Sequence, residues 1–334
     1  MAKKKARTTT EPLTLLEAVQ YFKDPDNCIR YVVERRWPNG EVTCPTCGSK
    51  AVLYLKNQRR WKCGTDHVRR QFTLKVGTVM EDSPIGLDKW LPAMWLIGNC
   101  KNGISSYELA RALDITQKSA WFMLHRIRLG MQDASGGTLS GEVEVDESFI
   151  GGKARFMHKH KRAEKIKGTG GMGKVAVMGL LARHGHGDKD HSTVRVQVLS
   201  SRKKRELEAE VRKHVTPGAE VFTDELPSYN NLAPDYVHNV INHAEEYVRG
   251  NVHTNGIENF WSLLKRSIKG TYTSVEPFHL FRYLDEQAFR FNERKTNDAG
   301  RFDEVLGAIV GRRLTYKQLI GDGEKTEPPA AASN

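Results

Sequence analysis

The 334-residue sequence has no apolar run long enough to cross a bilayer, only five cysteines and no internal repeat. The first absence excludes a helical membrane protein, and the last excludes a solenoid or propeller. The opening "MAKKKARTTTEP" has basic residues with no apolar stretch behind them. No secretory signal is expected there, and a cytoplasmic location follows. Five is an odd count, and three of the cysteines fall within twenty residues. That argues against a disulfide framework and for a metal site. Acidic charge is the minority, 40 Asp and Glu against 52 Lys and Arg, for a net charge of +12. This balance points to a polyanionic partner, nucleic acid before an anionic membrane surface. The excess is clustered: Lys56 to Lys75 holds seven basic residues and one Asp, and further runs are "KHKRAEKIK" (159–167) and "SRKKR" (201–205).

The pattern along the chain is multidomain α/β. Residues 1–25 read as a basic arm and a lead helix, with "LTLLEAVQYF" (13–22) carrying the helical period. Residues 26–80 hold the cysteine module, and 81–134 are helical, broken by "NCKNGISS" and "LDITQ". "DASGGTLSG" (133–141) reads as a linker. Beyond it, strands are expected at 141–150, 174–183 and 193–200, a helix at 202–215, and short strands at 219–224 and 235–241. Two long helices, 254–269 and 277–294, close a domain spanning 139–300 built on a mixed sheet. Residues 301–334 are assigned to a C-terminal tail, whose end, "EKTEPPAAASN", is low in complexity. "GTGGMGKV" (168–175) imitates a phosphate loop, but Val175 replaces the required hydroxyl and a strand follows where a helix should.

Cys44 and Cys47 form a CxxC pair, and Cys63 is followed by His67. Pro45, Gly48 and Gly64 are turn residues, so these thiols read as knuckles around a structural zinc ion with His67 as the fourth ligand. Downstream, "GISSYELARALDITQKSAWFMLHRIRLGM" has the shape of a helix-turn-helix. Ser105 or Ser106 would cap the first helix and Thr116 the second. Gln117, Lys118 and Ser119 then open the second helix, where DNA bases or phosphates would be met; Arg126, and Arg69 and Arg70 of the cysteine module, are further DNA-contact candidates.

"GEVEVDESFIGG" (141–152) alternates Val143, Val145 and Phe149 with Glu144, Asp146 and Ser148. Acids are poor strand formers, yet a second strand, "EVFTD", also ends in Asp224. Within "HTNGIENFWSLLKRSIKG", Ile257, Phe260, Trp261, Leu264 and Ile268 make an apolar helical stripe, with Glu258 beside it. Lys265 lies two turns along, on about the same face. Two strand acids and one helix acid can hold two divalent cations about 3.5–4 Å apart for in-line phosphoryl transfer. Hard oxygen ligands favour Mg²⁺ or Mn²⁺. Glu144 shares the face of Asp146, and Glu147 points away.

The order of these motifs resembles bacterial insertion-sequence transposases, in the subgroup with an N-terminal zinc ribbon and an ISXO-type DDE catalytic domain of ribonuclease-H-like fold. The resemblance rests on CPxC…C, the helix-turn-helix, "VEVDESFIGG", "FTDELPSY" and "HTNGIENFWSLLKRSIKGTY…FHLFRYLDEQAFRFNER", and covers about residues 15–300. It implies an enzyme that binds the terminal inverted repeats of its element, cuts the ends with Mg²⁺ and joins them to target DNA. It further implies a homodimer or larger assembly on DNA, and a nucleoid-associated location. Asp146, Asp224 and Glu258 fall on the three acidic positions, and Lys265 on the following lysine. The third position varies between Glu and Asn in the family, so Asn255 or Asn259 could share its role. The family's ribbon usually closes with a second cysteine pair, where this chain has Cys63 and His67. The competing expectations are a catalytically inactive DNA-binding regulator and a ribonuclease-H-like nuclease or resolvase.

Overall fold

The computed structural model describes residues 11–133, 136–151, 174–187, 189–201, 203–224, 229, 231–232, 235–241 and 253–322. The basic run 159–167 and most of the phosphate-loop imitation lie outside these residues. The chain forms two compact units, 1–132 with 295–334, and 133–294.

In the first unit, helix α1 (Leu15–Phe22) is started by a capping box between Thr14 and Glu17. Helix α2 (Pro25–Arg36) starts with Asp24 as its cap and Pro25 in the first turn, where a missing N–H costs nothing. Strands β1 (Val52–Leu55), β2 (Arg60–Cys63) and β3 (Gln71–Phe72) form an antiparallel ribbon. Its small core is Trp61, with the Tyr54 ring 4.7 Å and the Phe72 ring 6.0 Å away. Helix α3 (Leu87–Asn99) is followed by α4 (Ser106–Leu113), capped by Ser105, and α5 (Gln117–Met131), capped by Thr116. Asp114 adopts the left-handed conformation between the last two. From Ala120 onward α5 is largely buried, through Met123, Leu124, Ile127 and Met131.

The second unit is a five-stranded sheet ordered β6-β5-β4-β7-β8. Strands β4 (Glu142–Ile150), β5 (Val175–Ala182) and β6 (Thr193–Val198) run antiparallel. Helix α6 (Lys204–His214) leads to β7 (Glu220–Asp224) and β8 (Val237–Ile241), which join β4 in parallel. Alternation sorts the strand residues into two cores. Val143, Val145, Met178, Leu180 and Val221 pack with Leu207 and Val211 of α6. Ile150, Val177, Leu181 and Val194 face Ile257, Phe260, Trp261 and Leu264 of α7 (Asn255–Ser267) and Leu284 and Phe291 of α8 (Leu280–Asn292). A mixed sheet is thus covered by helices on both faces. Gly179 makes the closest packing possible, since a Cβ there would sit 2.6 Å from Ile257 and 2.7 Å from Trp261.

Two helices were not anticipated by the sequence reading, α9 (Asp298–Ala308) and α10 (Tyr316–Ile320). Residues assigned to a tail therefore fold as far as Ile320 and belong to the first unit. Their apolar residues explain it: Phe302 enters an aromatic cluster with Phe22, Tyr31 and Trp95 at ring distances of 5.2–5.6 Å. Likewise, Pro25–Arg36, placed mostly in the cysteine module, is a helix supplying Tyr31 to the same cluster.

Candidate active site and zinc centre

Strand register builds the acidic site. Val145 of β4 lies opposite Thr223 of the parallel strand β7. The next residues, Asp146 and Asp224, therefore leave adjacent strands on the same face, with backbones about 4.8 Å apart. Helix α7 lies over this face, and its Trp261 indole donates to Asp146 Oδ2 at 2.9 Å. The Glu147 amide donates to the other oxygen at 2.8 Å. Burial above all, helped by the charges of Asp224 and Glu258, pushes the Asp146 carboxyl up to about 6 against these two bonds. Register thus sets Asp146 beside Asp224, and Glu258 lies near enough for its charge to act on Asp146; among the described residues only the zinc candidates close to the span of a single-ion site. The donor set of the three acids is all oxygen, and the excess negative charge suits a hard divalent cation.

Glu258 is exposed and accepts from the Thr254 hydroxyl at 3.3 Å. Asn255 is exposed three residues before it, on the same stripe of α7, and Asn259 is exposed about 100° round the helix. Lys265 is half-buried, with no hydrogen-bond or ion-pair partner among the described residues.

Sequence reasoning missed the work of the other acids in β4. Glu144 is 1% exposed and ion-paired at 2.8 Å to Arg183, and it accepts from the Ile257 amide of α7 at 2.9 Å. Arg183 also reaches Glu142 at 3.0 Å and the His253 carbonyl at 2.6 Å, and stacks 4.0 Å over Phe222. On the opposite face, Glu147 accepts from the buried Tyr229 hydroxyl. Trp261 read as a core residue, and only its indole N–H hinted at a polar partner.

The zinc candidates also meet. One ligand atom from each of Cys44, Cys47, Cys63 and His67 lies within 4.8 Å of the others. Cys47 Sγ and Cys63 Sγ are 3.6 Å apart, and Cys44 Sγ is 3.4 Å from His67 Nε2. Ligands at zinc-bond lengths on a tetrahedron are separated by roughly 3.5–3.8 Å, so the four fit. His67 Nδ1 sits 2.8 Å from the Val68 carbonyl, which fixes the tautomer that leaves Nε2 to the metal. Burial raises the Cys63 thiol, but hydrogen bonds led by His67 outweigh it and bring the thiol to about 6. A Cys₃His cluster of this kind supports structural zinc.

The DNA-contact candidates divide. Arg126 is buried, donating to the carbonyls of Leu314 at 3.1 Å and Glu81 at 2.8 Å. It is a core tie of the first unit, a structural role that its choice as a DNA-contact candidate did not include. Arg70 is spent on the carbonyls of Cys63 and Gly64, both at 3.2 Å, where it braces the knuckle. Gln117 bonds Ser106 at 2.8 Å, and Ser119 closes the α5 cap with Thr116. Lys118 and Arg69 are exposed, Lys118 lying 4.8 Å from the Tyr316 ring.

Comparison with known proteins matches residues 138–292 to the ISXO2-like transposase domain family and residues 23–65 to the transposase zinc-ribbon domain family. The second match ends just short of His67. A protein of Halobacterium salinarum (strain ATCC 700922 / JCM 11081 / NRC-1), described as an uncharacterized protein in transposable element ISH50, is 28% identical over 308 residues, covering 89% of this chain and 99% of that protein. No solved structure matches the chain significantly.

Proposed function

We propose that this chain, which carries a transposase zinc ribbon followed by an ISXO2-like transposase domain, is a DNA transposase. It binds the terminal inverted repeats of its element and catalyses cleavage and transfer of the DNA strands. What supports the reading is that Asp146 and Asp224 leave adjacent parallel strands in register, and that the helix laid over them carries Glu258, whose charge acts on Asp146. The mixed sheet with helices on both faces supports a ribonuclease-H-like catalytic domain.

Asp146, Asp224 and Glu258, with Asn255 or Asn259 beside them, would hold Mg²⁺ or Mn²⁺. The chemistry supplied there by two such ions would be activation of a water or 3′-hydroxyl nucleophile and neutralisation of charge on the scissile phosphate. The chain's own groups prepare that place. Trp261 and the Glu147 amide hold Asp146 in one orientation. Lys265, unpartnered among the described residues and two turns beyond Glu258, presents an ammonium to a DNA phosphate. In the first unit, α4 and α5 act as a helix-turn-helix, with Lys118 and the edge of Gln117 at the DNA, and Arg69 of the ribbon adds a phosphate contact. Pairing two element ends requires a homodimer or larger assembly on DNA.

The test is cleavage of linear DNA bearing the element's ends, with and without Mg²⁺. Metal-dependent release of 3′ ends supports the proposal. Tight end binding without cleavage when Mg²⁺ is present would replace it with the regulator reading.

A further inference from the structure

Helix α7 carries Glu258 and Lys265, yet it has no local N-terminal cap. Thr254, at the capping position, makes no capping bond with its side chain and gives its hydroxyl to Glu258 instead. The first N–H groups of a helix otherwise lack partners and carry its positive end. Here the cap comes from strand β4, more than a hundred residues away: Glu144 Oε2 accepts from the Ile257 amide at 2.9 Å. Its other oxygen is held by Arg183 at 2.8 Å, with His253 Nδ1 at 3.5 Å. Both oxygens are therefore engaged within the protein.

A second bond repeats this one turn further on, where Trp261 donates to Asp146. From Glu144 to Asp146 the strand advances about 6.6 Å, and from Ile257 to Trp261 the helix advances about 6 Å. The paired bonds match in spacing, so together they fix both the slide and the rotation of α7 along β4. The approach is close because residue 256 has no side chain. A Cβ there would lie 2.9 Å from Glu144 Oε2 and 3.1 Å from Leu181 Cδ2.

We propose that Glu144 is a positioning residue, a cap from a distant strand that sets the start of α7 and thereby holds Glu258 at Asp146, with Gly256 as the opening through which it reaches the helix. The role of Glu258 here rests on the proposed function; the cap itself does not.

The test compares wild type with Gly256→Ala, Glu144→Asp and the double variant, in the full-length chain. Three quantities are read: hydrogen exchange at the Ile257 amide, Mg²⁺-dependent end cleavage, and affinity for the DNA ends. Alanine favours a helix over glycine, so an ordinary first-turn position would gain stability and keep its rate. The clamp instead predicts that Gly256→Ala loses Ile257 protection and about 10²-fold in cleavage rate while end binding holds. Shortening the acid in the double variant makes room for the new Cβ and restores part of both. Should Gly256→Ala fail to fold, Glu144→Gln, which sets an amide against Arg183, is expected to lower protection and rate together. Unchanged Ile257 exchange and wild-type cleavage in these variants would overturn the inference. A wild type that never cleaves would sink the transposase reading instead, and the exchange measurement would still decide the cap.

Discussion

Replacing Asp146 by Asn is expected to abolish catalysis yet stabilise the metal-free protein. In the folded chain the Asp146 carboxyl is raised from 3.8 to about 6, first by burial and then by Asp224 and Glu258. For an acid with a raised folded-state value, the native state holds the extra proton between those two pH values. Stability therefore falls as pH rises through that window and stays lost above it. A shift of about two units corresponds to about 3 kcal/mol. Asparagine removes that penalty at neutral pH, but its side chain can accept from only one of the two donors, Trp261 Nε1 and the Glu147 amide. The unmatched donor costs about 1–2 kcal/mol. The net expectation is a gain of about 1–2 kcal/mol, or about 2–8 °C in the melting of a unit of this size. Scanning calorimetry at pH 7.5 without divalent metal reads it, followed by a repeat with 10 mM Mn²⁺, a concentration on the order of that needed to fill a weak site. Wild type should gain from Mn²⁺ and Asp146→Asn should not. A variant that melts below wild type without metal, or that gains equally from Mn²⁺, would refute the reasoning.

Four further outcomes are expected. At limiting Mn²⁺ the cleavage rate should fall as pH drops through about 6, where Asp146 takes up its proton, and the midpoint should move lower as Mn²⁺ is raised, because metal and proton compete; a midpoint indifferent to Mn²⁺ would break the link. Elemental analysis should find one zinc per chain, lost in Cys63→Ser together with resistance to proteolysis across residues 40–75; retained zinc would remove Cys63 from the ligand set. Arg126→Ala should cost about 2–4 kcal/mol of stability by orphaning two carbonyls in the core. Lys118→Ala should leave stability within about 0.5 kcal/mol and reduce the salt slope of DNA binding by about one. The reverse pattern would favour Arg126 over Lys118 as the DNA contact.

The parts of this molecule legible in its sequence are those that announce themselves locally. Strand β4 shows its alternation, α7 its apolar stripe, and the three cysteines their turn residues, so the secondary elements of the second unit fall within a few residues of expectation. The acids could be picked out because carboxylates at strand positions violate local preference. What escaped depends on partners distant in the chain. The helix at Asp298–Ala308 has an ordinary composition, and only the cluster formed by Phe22, Tyr31 and Trp95 makes Phe302 a core residue. Arg126 looks like any basic residue of a surface helix until the carbonyls of Glu81 and Leu314 close on it. Glu144 could be placed on the face of Asp146 by alternation, but its bond to Ile257 spans 113 residues and leaves no local pattern.

The central claim is that the acids of β4, β7 and α7 form one catalytic metal site, and joining of element ends to target DNA with Mg²⁺ tests it most directly. Wild type should join 3′ ends, while Asp146→Asn, Asp224→Asn and Glu258→Gln should each bind the ends with wild-type affinity and join none. Joining that survives in any one of the three variants would contradict the shared site.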